Sequence, residues 1–169
     1  LKNFNMNFAD TKKKTSPKTL AVIQVHCYGI VSEIEKVKKY LTKKKIFLIE
    51  DACLVFGGKL NSTYLGSFGD ASILSFGYDK ILSYKGGTLL VKSNLIYKRC
   101  KFYLTKNKNL NMEKIEKNIF LNKLKNLDNE ISYRKKIAKY INTNLFNKLF
   151  IKPIYNNKDV YWRYPLIFK

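Results

Sequence analysis

The chain has 169 residues, of which 33 are basic and 12 acidic, giving a formal charge of +21. The length fits one ordinary domain, on a prior of about 100–200 residues per domain. A content of 46% hydrophobic and 14% aromatic residues excludes a wholly disordered tail. Taken alone, the charge points to a nucleic-acid binder, but 30 of the basic residues are Lys, only Arg99, Arg134 and Arg163 are Arg, and 17 residues are Asn. Adenine- and thymine-rich codons supply that bias without any ligand. Proteins that read base edges or clamp phosphates rely on the planar fork of Arg. The dispersed lysines, with Lys12-Lys13-Lys14 and Lys43-Lys44-Lys45 as the only short runs, are therefore read as a solvated surface, with no specific nucleic acid as partner.

Three cysteines, Cys27, Cys53 and Cys100, form no CxxC, and His26 is the only histidine, so no zinc-ligand set is expected. Unpaired cysteines point to a reducing, cytoplasmic compartment. The apolar runs at Leu20–Val25 and Ile46–Ile49 fall far short of the roughly 20 residues of a membrane helix, and no span is predicted. The chain opens on Leu1 with an Asn-rich stretch, which is read as a start inside a longer gene.

In chain order, Pro17 and the lysines before it form a lead-in loop to a strand at residues 20–25. Ser32 stands three residues before Glu35, the spacing of a capping box, and Ile34, Val37 and Leu41 follow at helical intervals, predicting a helix over 33–44. Ile46–Ile49 is a second strand, which completes a strand–helix–strand unit of the size of a parallel crossover, so the fold class is α/β. Gly57-Gly58, Asn61 and Gly66 mark turns around a small hairpin. A third strand is expected at Ala71–Phe76 and a fourth at Thr88–Val91. Helical periodicity follows around 112–125 and 130–148, and the aromatic tail Asp159–Lys169 reads as a strand.

In α/β sheets ligands gather beyond the carboxyl ends of the strands. His26, Glu50-Asp51, Ser75 and Lys80 all follow strands there. A lysine at a strand end in a partly desolvated pocket loses proton affinity, so its neutral amine attacks an aldehyde. A carboxylate opposite would stabilise a protonated ring nitrogen, the partner that pyridoxal phosphate needs as an electron sink. The Ser75 hydroxyl is suited to a phosphate.

Val25-His26-Cys27-Tyr28-Gly29, Ile49-Glu50-Asp51-Ala52-Cys53, Gly66-Ser67-Phe68-Gly69-Asp70, Ser75-Phe76 with Lys80, and Gly86-Gly87 resemble, in order and spacing, the DegT/DnrJ/StrS-type sugar aminotransferases. These are pyridoxal-phosphate enzymes of the aspartate aminotransferase superfamily, and the dense match spans about residues 20–92. The resemblance implies the carboxyl-terminal part of a fold type I major domain, with a mainly parallel sheet, over 1–94. A small α+β C-terminal domain over 95–169 would follow. It implies transamination of a nucleotide-linked keto sugar with glutamate as amino donor, in amino-sugar and surface-polysaccharide biosynthesis, by a homodimer. Lys80 resembles the Schiff-base lysine, Asp51 the partner of the pyridinium nitrogen, and Ser75 the contact to the cofactor phosphate. His26 matches a motif histidine that holds the cofactor pocket or Asp51 in place. Tyr133–Tyr140 is similar to the helix leading into the small domain, and Trp162-Arg163-Tyr164-Pro165 to one of its strands.

Departures from the family pattern are Leu54, where a Gln commonly reaches the cofactor's phenolic oxygen, a shorter loop between Lys80 and Gly86, and no counterpart of the segment that reaches the neighbouring subunit. Family members are also about twice this length, and the missing part is expected before residue 1. The alternatives are a fold kept as an inactive or regulatory protein and, more weakly, a basic nucleic-acid-binding module. Tyr78 and Asp79 are read as loop-shaping, Cys27 and Cys53 as small buried hydrophobes, and Trp162 as core.

Overall fold

Period-2 and period-3.6 apolar patterns alternate along the first half of the chain and become a four-stranded sheet with helices packed on it. The structure is a computed structural model describing residues 4–107, 117–145 and 150–168. Strand β1 (Ala21–Val25) leads through helix α2 (Ile34–Lys44) to β2 (Phe47–Asp51). The two strands pair in parallel with Val25 opposite Asp51. The hairpin strands β3 (Lys59–Leu60) and β4 (Thr63–Tyr64) follow, joined by Asn61 and Ser62 at φ 48° and 66°. Positive φ at both central residues is what a tight two-residue hairpin loop requires. Strand β5 (Ala71–Ser75) then pairs in parallel with β2, and β6 (Gly87–Val91) returns antiparallel to β5. The sheet order is β1-β2-β5-β6.

The core forms where α2 lays Ile34, Val37 and Leu41 over Leu48 of β2 and Leu74 of β5. Beyond the sheet run α3 (Asn94–Lys106), α4 (Lys117–Lys125) and α5 (Leu127–Asn144). Leu127 and Ile131 of α5, together with Val160, join the same buried cluster as α2 and β2. In contrast, α3 has no buried residue, and Leu89, Leu90, Leu95 and Phe102 on β6 and α3 remain exposed. A groove of about 1140 Å³ runs between these two elements, lined among others by Leu89, Val91, Tyr97 and Leu104. No described helix is long and apolar enough to cross a membrane.

Several expectations need correction. The lead-in is a helix, α1 (Phe8–Lys14), capped by the Asn7 side chain, which accepts the Asp10 N–H at 2.8 Å. The Ser32/Glu35 capping box does not form. The N-cap of α2 is Glu33, and Ser32 instead gives its N–H to His26 Nδ1 at 3.0 Å, while Glu35 reaches Asn61. Helix α3 has a Ser93 N-cap, a signal masked by the Lys-rich composition around it. Residues 112–116 and 146–148 of the two expected late helices lie outside the described residues. The aromatic tail is a strand only at β8 (Ile167–Phe168), paired with β7 (Phe150–Ile151). Tyr161 at φ 54° breaks any regular strand there. Cys27 and Cys53 are half-buried rather than core residues.

Residues 159–163 dock onto the loop after β1. Gly29 accepts the N–H groups of Val160 (2.8 Å) and Tyr161 (3.2 Å), and Tyr28 accepts that of Arg163 (3.1 Å). This approach requires glycine at position 29. Its φ is +83°, and a Cβ would lie 2.3 Å from the Trp162 backbone N. Left-handed backbone alone costs a non-glycine residue roughly 1–2 kcal/mol. G29A is therefore expected to destabilise the protein by more than that amount in urea denaturation, and to free the 159–163 segment to limited proteolysis.

Candidate active site

Period 2 on β2 sends adjacent acidic residues to opposite faces, so Glu50 points in with Leu48 while Asp51 stands at the strand's carboxyl end. Glu50 and His26 are both 0% exposed. Because His26 Nδ1 accepts from Ser32 N–H, Nε2 carries the proton and donates to Glu50 Oε1 at 3.2 Å. The carboxylate also accepts the N–H groups of Gly66 (2.7 Å), Phe68 (2.8 Å) and Gly69 (3.0 Å), and the Ser72 hydroxyl lies at 3.3 Å. Burial works to raise the Glu50 carboxyl, but the hydrogen bonds from His26, Gly66 and Gly69 outweigh it and hold the carboxyl below its ordinary value. The turn wraps closely: a Cβ on Gly69 would lie 2.2 Å from the Ala71 carbonyl oxygen.

His26 is thus a strut for Glu50. Both ring nitrogens are engaged and the ring is fully enclosed, so His26 bears on the strand end through Glu50 rather than by a side-chain contact with Asp51. Only its backbone meets Asp51, with His26 N–H donating to the Asp51 carbonyl at 3.3 Å.

Asp51, Ser75 and Lys80 lie at the carboxyl edge of β2 and β5. Asp51 is half-buried and accepts the Cys53 N–H at 3.1 Å. Ser75 ends β5 and accepts the Gly77 N–H through Oγ at 3.4 Å. Lys80 sits in the turn that follows, its N–H donating to the Gly77 carbonyl at 2.9 Å. A Cβ on Gly77 would lie 3.6 Å from Ser75 Oγ and 3.7 Å from Lys80 Cγ, so the two side chains border the same small space. Lys80 Nζ lies 3.3 Å from Asp79 Oδ2, with side-chain exposures of 20% and 52%. Trp162, expected in the core, is half-buried over this turn: its Nε1–H donates to the Asp79 carbonyl at 2.6 Å, and Lys80 Nζ stands 4.9 Å from its ring centroid.

The two thiols flanking Asp51 are disfavoured as nucleophiles. Burial first, then the hydrogen bond and charge of Asp51, push Cys53 up to about 12, with the Lys80 charge opposing. Burial and Asp51 also raise Cys27. Both stay protonated at neutral pH.

Sequence reasoning missed the roles of Glu50 and Trp162. The signal for Glu50 was present: a carboxylate on the inward face of a buried strand needs several donors. For Trp162 there was no signal, because its contacts cross 83 residues of sequence.

A lysine, a carboxylate and a hydroxyl gather beyond the carboxyl edge of this α/β sheet, side-chain types that suit the aldehyde, ring nitrogen and phosphate of pyridoxal phosphate. A model of the DegT/DnrJ/EryC1/StrS aminotransferase family matches residues 1–169, and the chain belongs to that family. GDP-perosamine synthase of Escherichia coli O157:H7 is 34% identical over 98 residues, covering 57% of this chain and 27% of that protein. The 3-oxo-glucose-6-phosphate:glutamate aminotransferase of Bacillus subtilis is 29% identical over 144 residues, covering 83% of this chain and 31% of that protein. Among solved structures, the E. coli GDP-4-keto-6-deoxy-D-mannose-3-dehydratase with bound hydrated PLP superposes with a TM-score of 0.80 at 19% identity, over 99% of this chain and 51% of that one. The likeness to the solved structure is one of fold. The chain spans about a third or less of these curated relatives' length and about half of the solved structure.

Removing the Glu50 carboxylate leaves His26 and three backbone donors facing a gap. E50A is expected to lose at least about 3 kcal/mol, since each buried donor left unsatisfied costs roughly 1–3 kcal/mol, read from urea midpoints. Asp159 responds in the opposite sense to pH. It is 2% exposed, its Oδ1 accepts the Val31 N–H at 2.8 Å, and burial raises it from 3.8 to about 6. A raised folded value means the contribution is fully present below the unfolded value and is lost as pH rises through about 6. D159N, which keeps an oxygen acceptor, should flatten the stability-versus-pH curve between pH 4 and 6 and raise stability at neutral pH by roughly 1–3 kcal/mol.

Proposed function

We propose that this chain supplies the cofactor lysine of a pyridoxal-phosphate-dependent aminotransferase acting on a nucleotide-linked keto sugar, with glutamate as amino donor, in amino-sugar and polysaccharide biosynthesis. The observation that carries the reading is the half-buried Lys80 side chain, which borders the same small space as Ser75 on the sheet edge that also carries Asp51. The donor set fits the cofactor: an amine for its aldehyde, a hydroxyl for its phosphate, a carboxylate for its ring nitrogen, and neighbouring thiols that stay protonated. When bound, pyridoxal phosphate supplies an aldehyde for amines to condense with and a ring that withdraws electrons from an adjacent carbanion.

The chain's own residues do the rest. Lys80 Nζ would hold the cofactor at its aldehyde and would move a proton to and from the substrate carbon. Asp51 would keep the proton on the ring nitrogen, and Ser75 Oγ would donate to a phosphate oxygen. His26 acts through Glu50, fixing the strand end from which Asp51 projects. The relatives named above act on sugars, which supports the substrate class. Residues 1–94 belong to the major domain and 95–169 to a smaller C-terminal one, packed together through Leu127, Ile131 and Val160. A homodimer completes the site, and the chain by itself is inactive.

Leu54 favours a second reading, a cofactor-bound protein without transamination, because its side chain offers no hydrogen bond where the family commonly has Gln. One experiment separates the two. The full-length protein is loaded with pyridoxal phosphate, reduced with borohydride and digested. A pyridoxyl adduct on Lys80, lost in K80A, together with ketoglutarate released from glutamate, is the expected result. An adduct without ketoglutarate selects the second reading, and no adduct on Lys80 overturns both.

A further inference from the structure

We propose that Trp162 is a positioning residue for Lys80: its indole face holds the lysine amine in the site, and its N–H pins the turn that carries the lysine. The inference rests on the function proposed above and adds a residue to the machinery of the same site. Trp162 is the only tryptophan of the 169 residues.

Among the described residues, Asp79 and the Trp162 ring stand near the Lys80 ammonium. Asp79 is adjacent in sequence and half exposed, so its pull is screened by solvent and does little to choose one rotamer of a long, flexible side chain. The Trp162 ring, with its centroid 4.9 Å from Nζ, offers a broad, weakly hydrated face that attracts the cation wherever it lies over the ring. The indole N–H donates to the Asp79 carbonyl at 2.6 Å, fixing the backbone one residue before the lysine.

Residue 162 is itself anchored. The Trp162 carbonyl accepts from the Arg134 guanidinium at 2.9 Å, and the Arg163 guanidinium lies 4.3 Å from the indole centroid. The residues on either side are tied to Tyr28 and Gly29, and Asp159 is tied to Val31. The platform under the lysine therefore belongs to a segment fixed to the loop after β1. Reactive groups work only when their rotamers are locked by such support.

The test uses the full-length protein with two variants, W162F, which keeps an aromatic face, and W162L, which keeps apolar bulk without one. The readout is the rate at which pyridoxal phosphate becomes linked to Lys80, followed by absorbance and confirmed by borohydride trapping and peptide mass, beside a thermal melt. Linkage in W162F is expected within about threefold of wild type. W162L is expected to be slower by about tenfold, or about 1.4 kcal/mol, with an unchanged melt. A folded W162L that links at the wild-type rate, or a W162F that slows as much as W162L, overturns the proposal. Should W162L fail to fold, the K80M-minus-wild-type difference in tryptophan emission decides: a shift is expected, and identical spectra overturn the contact. Wild-type protein that forms no Lys80 adduct refutes the proposed function instead, and the emission comparison still reads the contact.

Discussion

The structure depends on one buried carboxylate. Glu50 sits without solvent at the end of β2 and gathers a histidine from the end of β1, three backbone N–H groups from the 66–69 turn and a hydroxyl from β5. An ionised group in that position is tolerable only because each lone pair finds a donor. That requirement fixes three separate chain segments relative to one another. Asp51, the next residue, is on the other face of the same strand and inherits its position from this network. The enclosed carboxylate and the one at the open strand end are therefore neighbours in sequence, separated by the pleat.

A second constraint comes from the far end of the chain. The 159–163 segment docks by backbone hydrogen bonds onto Tyr28 and Gly29, and the absence of a side chain at Gly29 is what lets the two backbones meet. Asp159 adds a buried acceptor for Val31 N–H. Its cost rises with pH, whereas the hydrogen bonds of Glu50 favour the folded state until acid protonates it below its ordinary range. The two buried carboxylates therefore bound the pH window of stability from opposite sides.

The parts visible in the sequence were those governed by local periodicity and turn chemistry. β1, α2, β2, the hairpin at Asn61, β5 and β6 all follow from apolar spacing and turn residues, and their boundaries shift by only a residue or two. Ser32 and Glu35 had the spacing of a capping box, but Ser32 N–H is taken by His26 and Glu33 takes the cap position, where it accepts from Phe8 N–H. A partner distant in sequence outbid the local one. The tail failed for a related reason: β-favouring aromatics were read as a strand, while the hydrogen bonds of 160–163 run to the Tyr28-Gly29 loop and force Tyr161 to positive φ. Lys80, Asp51 and Ser75 were visible through motif spacing. The partner Trp162 was not, because nothing in a linear sequence records a contact across 83 residues.

The charge and the site obey different rules. Lysines dominate the +21 excess, and what distinguishes Lys80 among the thirty is surroundings rather than identity. It follows a strand at the open edge of the sheet, it is mostly shielded, and an indole faces it from a remote segment. A lysine on a solvated helix lacks all three. Setting one lysine apart in so basic a protein therefore falls to the fold, through the Glu50 network that sets the sheet edge and the Gly29 approach that brings Trp162 over it. Weakening either would leave the sequence motif intact and the lysine as ordinary as the others.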